Sequence, residues 1–511
     1  METPALQSEQ QRPRQTLASN GSVAPLDEIQ GSPSPYHRVD DGDSKDGETS
    51  RYSILDLPED ILRHIHSLMP MDAAARAACI SHAFLSSWRC YPKLILSWQM
   101  LCSKARGERV SLRRRINSIL RNHTGIGLKI LRLYLYHQVS SYPYIDSWLQ
   151  VAVTPDIEEL TLKLYKKYKF PCSILSDGAR KSIRSLQLDS CVLRPTPELG
   201  PLRSLTRLRL RSVCITGDEL ECLLSNSLAL EHLDLNNCNE IIILKIPSVL
   251  QRLSYMEVFG CLNLRVVENK APSLTSFTLT GEVPELSFGE ASQMMKVLGL
   301  HRANVVYYAR AKLPSIMPNL ETLDLSSSTE VDTPMLPTKF LNLKHLAIQI
   351  SVETFSPSYD YFSLASFLDA CPSLETWNLD VYPEDMEHES IFGGASHLRQ
   401  LPEFRHNHLK SVEIMGFSSA KCLVELTCYI VKSAVSLERL TLDTLHGGGR
   451  CSGQDDNGPF CWSYSKAVVE EASRGVAAIR EYIKEKVPPT VKLIVHEPCP
   501  RCHATAVDYD R

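Results

Sequence analysis

Leu205-Thr-Arg-Leu208-Arg-Leu210 and Leu230-Glu-His-Leu233-Asp-Leu235 carry leucine at the same three places. The spacing L-x-x-L-x-L returns at Leu320-x-x-Leu323-x-Leu325 and at Leu437-x-x-Leu440-x-Leu442. Looser copies start at Leu128, Ile157, Ile183, Leu253, Leu274, Met295, Leu343, Leu374 and Leu409. Around the best copies, the starts at Ile183, Leu205, Leu230, Leu253 and Leu274 are 22, 25, 23 and 21 residues apart. Within each copy the last two leucines flank one residue, the period of a strand with one buried face. A single strand and its return segment cannot bury that face alone. Stacking on the next copy is obligatory, and a unit of about 20–29 residues is the length such a solenoid uses.

The pattern is that of a leucine-rich repeat, and several copies continue into Cys191, Cys238 or Cys261 where that repeat takes Asn or Cys. The expected fold class is α/β: an N-terminal three-helix module, then a solenoid of about thirteen repeats over residues 128–445. Its curved parallel sheet lies on the concave side, with helices or irregular segments on the convex side. Later repeats lengthen to 31 and 35 residues (Leu343 to Leu374, Leu374 to Leu409), so insertions project there. One holds Pro383, Glu384, Asp385 and Glu387; residues 446–462, with Cys451 and Cys461, form another loop. Ser463 to Lys486 then reads as an amphipathic helix with Val468, Val469, Ala472, Val476, Ile479, Tyr482 and Ile483 on one face. Pro488-Pro489 ends it, and Val491 to Val495 reads as a last strand. Residues 446–511 would thus close the open solenoid edge.

Upstream of the repeats, residues 1–50 are rich in Gln, Ser, Pro, Gly and Asp, which predicts a disordered tail. Asp40-Asp41-Gly-Asp43 lacks the spacing and closing glutamate of a calcium loop. Residues 52–98 change character. Pro58 suits a first helical position, Glu59 and Asp60 suit the positive end of the dipole, and Ile61, Leu62, Ile65, Leu68 and Met69 follow at helical spacing. Pro70 stops that helix; Asp72 is placed to cap a second, Ala73 to Ile80, and Ser81 a third carrying Phe84, Leu85 and Trp88. Three such helices cannot close a core alone and should complete it on a partner or on the next domain. Residues 99–127 read as a linker helix.

A net charge of −4 gives no global pull toward nucleic acid or membrane. Sixteen cysteines scattered through apolar segments suit reduced thiols in the nucleus and/or cytoplasm better than a disulfide framework. The polar first thirty residues do not form a signal peptide, no apolar run of about 18 residues predicts a membrane span, and the sequons at Asn20 and Asn122 carry no meaning without secretion. His446-Gly447-Gly448-Gly449 resembles an esterase oxyanion loop, but no G-x-S-x-G elbow accompanies it. Cys499-Pro-Arg-Cys502-His503 is half a zinc site that only Cys451, Cys461 or a histidine could complete; a plain C-terminal turn is the expected reading. Arg113-Arg114-Arg115 with Arg121 offers an import or phosphate patch, or simply a solvated helix face. No catalytic residue, metal or cofactor is expected.

Leu57-Pro58-x-x-Ile61-Leu62, Ile65 and the Ile80-Ser81-His82-Ala83-Phe84 to Trp88 stretch resemble an F-box. With the repeats behind it, the chain resembles the plant F-box/leucine-rich-repeat proteins over about residues 52–505. Leu253-Ser-Tyr-Met256-Glu-Val258-Phe-Gly-Cys261, followed by Lys270-Ala-Pro272-Ser-Leu274, resembles their middle repeats. Residues 395–445, including His406-Asn-His-Leu409 and Leu423-Val-Glu-Leu426, resemble their FBD-type C-terminal region. The resemblance implies docking on the Skp1-like subunit of an SCF (cullin–RING) ubiquitin ligase through Leu57, Pro58, Ile61, Leu62 and Ile65, with the repeats binding a protein to be ubiquitinated. Where many relatives carry a Cys-Lys-x-Trp-like stretch, this chain has Ser81-His82-Ala83-Phe84.

For the second surface, strand alternation turns Arg207, Arg209 and Arg211 outward on one strand and His232, Asp234 and Asn236 on the next. Three arginines on one strand suit an acidic or phosphorylated ligand. Register also sets Arg209 beside Asp234 and Arg211 beside Asp189, so lateral pairing can satisfy the same charges. Two functions follow: an adaptor joining a Skp1-like protein to a substrate, or a repeat scaffold that does not recruit ubiquitin machinery and keeps the helical module as a cap.

Overall fold

The computed structural model describes residues 57–102, 112–135, 144–445 and 464–499, apart from 176, 197–198, 283, 352–358, 383–387, 395–396, 400–401 and 403. The expected tail over 1–50, the acidic loop at 383–387, the loop at 446–462 and the pair Cys502–His503 lie outside the described residues.

Each leucine pair becomes a short strand. Fifteen of these form one parallel sheet running from Lys93–Ser97 to Lys492–His496. The thirteen repeat starts read from the sequence each lie two residues ahead of one of these strands. Leu208, Leu210, Leu233, Leu235, Leu323 and Leu325 point inward and are fully buried, while the residues between them face out. Burying one such side chain stabilises the fold by about 1.5–3 kcal/mol, which is why a repeat holds only while its neighbour covers it.

A backbone device repeats just past the last residue that each strand pairs with the next. Ser190, Ser212, Asn237 and Gly260 take φ of 59°, 50°, 52° and 61°. That left-handed step turns the chain inward, so the following residue (Cys191, Val213, Cys238 or Cys261) is delivered to an interior ladder under the sheet. Only one of the four is glycine, so this turn is not announced by the usual residue. At Gly260 a Cβ would stand 2.2 Å from Asn237 Oδ1, so any other residue there would have to displace that side chain.

The convex side departs from the expected helices and irregular segments. Ile243–Ile246, Val266–Asn269 and Glu285–Ser287 pair as a second, three-stranded parallel sheet. Those returns are too short for a helix, and Ile243–Ile246 and Val266–Asn269 bury every second side chain as strands do, so they complete their hydrogen bonds sideways. Elsewhere the convex wall is helical, as at Gly217–Ser225, Val305–Ile316 and Lys421–Ser433.

At the N-terminal end stand α1 (Glu59–Leu68), α2 (Met71–Ile80) and α3 (His82–Trp88). Pro58 is the residue before α1 rather than its first helical position. Helix α2 begins at Met71 after Pro70, so Asp72 sits inside the first turn and does not cap; the dipole still favours it there. Ser81 caps α3, its hydroxyl accepting from the Ala83 amide. The module completes its core on the next domain: Met71, Ala74, Trp88 and Tyr91 belong to the same apolar cluster as Leu94 and Leu96 of the first strand. That strand, Lys93–Ser97, falls inside the 52–98 segment, so the sheet begins before the boundary read from the sequence. The described residues of the linker segment over 99–127 include α4 (Trp98–Cys102) and α5 (Leu112–Asn122).

At the other end, the helix Lys466–Ala478 continues through Ile479–Ile483 and covers the wall with Ala472, Val476, Ile479 and Ile483. Gly475 lets it approach closely, since a Cβ there would lie 2.7 Å from the Phe417 carbonyl oxygen. The last strand pairs with Arg439–Asp443 and is the fifteenth of the sheet.

Two buried histidines pin turns between repeats in one manner. His406 Nε2 lies 2.8 Å from the Cys371 carbonyl, while its Nδ1 accepts from the Leu409 amide at 3.1 Å. His123 Nε2 lies 2.9 Å from the Tyr91 carbonyl and its Nδ1 accepts from the Gly125 amide at 2.9 Å. Both rings must be neutral to accept at Nδ1. Burial holds both pKa values below the ordinary histidine range.

Candidate functional site

Two surfaces are built from the residues that the sequence singled out. The first is the outer edge of α1. Its inner face is fixed by His66, which is buried with Nδ1 2.9 Å from Ser87 Oγ on α3 and Nε2 2.9 Å from the Ala74 carbonyl on α2. Leu62, one turn earlier, is turned the same way and is 4% exposed. Helical geometry then sends Ile61, Ile65 and Leu68 to another stripe. Ile61 is 43% exposed and Leu68 is 70% exposed; Ile65 is half-buried. Leu57 is half-buried and Pro58 exposed at the start of the helix.

Of the five docking residues named from the resemblance, four reach the surface. Leu62 does not: it packs inside the module and cannot meet a partner directly. Leu68, read only as a core-spaced apolar residue, is the addition. Its signal was its place seven residues after Ile61, two turns along the same stripe. Ile80, at the end of α2, is 85% exposed.

The second surface is the concave face. Arg207, Arg209 and Arg211 are exposed on their strand, and His232, Asp234 and Asn236 are half-buried on the next. The register sets Arg209 beside Asp234 and Arg211 beside both Asp189 and Asn236. Arg209 Nε and Asp234 Oδ2 form an ion pair at 3.2 Å. Burial, and then repulsion from Glu257 on the following strand, push the Asp234 carboxyl above its usual value, against the pull of Arg209 and Arg211. Tyr255 donates its hydroxyl to Glu257 at 2.8 Å, and the His232 and Tyr255 rings lie 5.8 Å apart. Lateral pairing therefore accounts for the middle arginine.

A related row was missed. The residue just before each strand alternates in sign along the later repeats: Glu321 bridges Lys296 at 3.1 Å and Lys344 at 3.3 Å, and Glu375 meets Lys410 at 2.8 Å. The signal is visible only once strands are aligned, because these partners are more than twenty residues apart in sequence.

On the convex side Arg399 fastens the FBD-like segment. It bonds Asp360 at 2.7 and 2.8 Å and the buried Glu425 at 2.7 Å, with its guanidinium 4.7 Å over the Phe362 ring. The basic triplet lies on α5, where Arg113 stacks on Tyr144 and Arg115 bonds the Leu101 carbonyl. Among the described residues no group of three His, Cys, Asp or Glu is placed to hold a metal ion, and no helix is long and apolar enough to cross a membrane.

Comparison with known proteins agrees with this architecture. The family model of the At1g61320/AtMIF1 leucine-rich-repeat domain matches residues 119–500. The chain belongs to that family. The FBD-associated F-box protein At1g61320 of Arabidopsis thaliana is 23% identical over 410 residues, covering 76% of this chain and 87% of that protein. The FBD-associated F-box protein At5g38590 of the same plant is 30% identical over 206 residues, 39% of this chain and 49% of its own length. Among solved structures, an internalin of Listeria monocytogenes covers 79% of this chain and 89% of its own, at 13% identity and a TM-score of 0.33, too low to carry an argument. This is a plant-type F-box/leucine-rich-repeat chain with an FBD-like C-terminal region.

Proposed function

We propose that this chain is a substrate-recognition adaptor of a Skp1–cullin–F-box ubiquitin ligase, working in the nucleus or cytoplasm. The α1 edge docks on a Skp1-like subunit, and the concave face of the repeats holds a target protein. The observation that carries the reading is the outward stripe of Ile61 and Leu68 beside Leu57 and Pro58, on a module whose interior is already filled. Apolar side chains left outside on a packed helix are placed where a partner can cover them. The adaptor supplies no chemistry of its own: holding target and ligase on one rigid solenoid converts ubiquitin transfer into a proximity-driven step.

The second reading, a scaffold in which the module is only an end cap, has an observation of its own: Met71, Trp88 and Tyr91 do close the first repeat. Co-purification of the full chain with a plant Skp1-like protein separates the two. Wild type should bind, Leu57→Ala/Pro58→Ala should weaken binding, and Ile61→Asp/Leu68→Asp should abolish it with an unchanged melting temperature. Failure of the folded wild-type chain to bind would establish the cap reading instead.

A further inference from the structure

The interior ladder under the concave sheet contains Cys191, Val213, Cys238 and Cys261 in successive repeats. Val213 separates Cys191 from Cys238, so Cys238 and Cys261 are the adjacent pair. Their surroundings are equivalent, one repeat apart. Cys238 Sγ lies 3.4 Å from the Leu210 carbonyl oxygen and 3.6 Å from that of Asn236. Cys261 Sγ lies 4.0 Å from the Leu235 carbonyl oxygen and 3.8 Å from that of Phe259. Leu210 pairs with Leu235, and Asn236 pairs with Phe259. The left-handed residues Asn237 and Gly260 each follow the last paired residue of adjacent strands, so they deliver both thiols to one level. Neighbouring strands stand about 4.8 Å apart, inside the Cα separation of about 4.4–6.8 Å that a disulfide spans.

We propose that Cys238 and Cys261 are a peroxide-sensitive dithiol that closes to a disulfide between adjacent repeats of the concave sheet. Access orders the two steps. Cys261 is only half-buried, whereas Cys238 is fully buried. The mutual influence of the two thiols lowers the pKa of Cys261 and raises that of Cys238. The Cys261 thiolate attacks one oxygen of hydrogen peroxide; the S–O bond forms, the O–O bond breaks, and the departing hydroxide takes a proton to leave as water. Cys238, giving up its proton, attacks the sulfenic sulfur; the S–S bond forms, the S–O bond breaks, and a second water leaves. Two thiols and one peroxide thus give one disulfide and two waters. The bond ties the strand carrying His232, Asp234 and Asn236 to the strand carrying Glu257, fixing the middle of the concave face.

The test uses the full chain, reduced, freed of reductant, exposed to hydrogen peroxide, blocked with a maleimide in denaturant and digested with trypsin. Peptides 212–245 and 253–265 should appear cross-linked, with fragmentation placing the bond at Cys238 rather than Cys214 or Cys222. Dithiothreitol should release them, and Cys261→Ser should abolish the cross-link. Cys238→Ser should stop the reaction at a sulfenic acid on Cys261, captured by a dimedone probe. Full alkylation of Cys238 and Cys261 in peroxide-treated wild type, or a Cys261 bond to any other thiol, overturns the proposal. The wild-type and Cys261→Ser maps decide it even where Cys238→Ser does not fold.

Discussion

On α1, Ile61 and Leu68 stand outward, 43% and 70% exposed, while on the concave sheet the outward charges meet one another across strands, as Arg209 meets Asp234. The contrast follows from spacing. Strands about 4.8 Å apart put a lateral neighbour within reach of every outward side chain, so a sheet can satisfy its own surface. An end helix has neighbours on one side only. Whatever apolar stripe it turns away from the module is left for another molecule. In the proposed adaptor the helical edge is therefore the surface that docks, and the sheet is the surface that selects a target.

That contrast can be tested by substitution. Leu233→Ala, inside the sheet, should cost about 2–5 kcal/mol in chemical denaturation, because the stacked repeats cannot collapse around the cavity. A cost under 1 kcal/mol would mean that the repeats are not mutually dependent. His406→Ala should cost about 1–3 kcal/mol by leaving the buried Leu409 amide and Cys371 carbonyl without their partner.

The same histidines set a pH dependence. Their folded pKa values are depressed, so below about pH 6.5 the unfolded chain binds more protons than the folded one. The stability that neutral His123 and His406 contribute is complete above that pH and is lost as pH falls through the folded values. Wild type should lose stability across this window more steeply than His406→Ala; equal slopes would show that the ring does not carry the effect. At the concave surface, Arg209→Ala should change stability by only about 0–1 kcal/mol, since the pair is half in solvent. The smallest change belongs to the proposed docking stripe. Ile61→Asp should shift stability by about 0.5 kcal/mol or less while removing Skp1-like binding; a large loss of stability would place Ile61 in the core and erase the contrast.

The repeat register was legible down to single residues. The pairing of Arg209 with Asp234 needs only the leucine spacing and the two-residue period of a strand. The burial of Leu62 was not legible, because both it and Ile61 fit an amphipathic helix; which of two adjacent stripes faces inward was decided by His66, whose partners Ala74 and Ser87 come from other helices. The second sheet was hidden for a similar reason. Val266–Asn269 has no distinctive composition and becomes a strand because Ile243–Ile246 lies beside it.

The sequence by itself determined the solenoid, because a repeated apolar pattern admits one way of burying every copy, and it determined the helical module through its prolines and caps. Only the tertiary structure decided the rest: which stripe of α1 stays outside, that the sheet begins at Lys93, that His123 and His406 pin turns, and that Cys238 and Cys261 share one level. These depend on residues that different elements bring together, most of them more than twenty positions apart, and nothing local in the chain records who their neighbours will be.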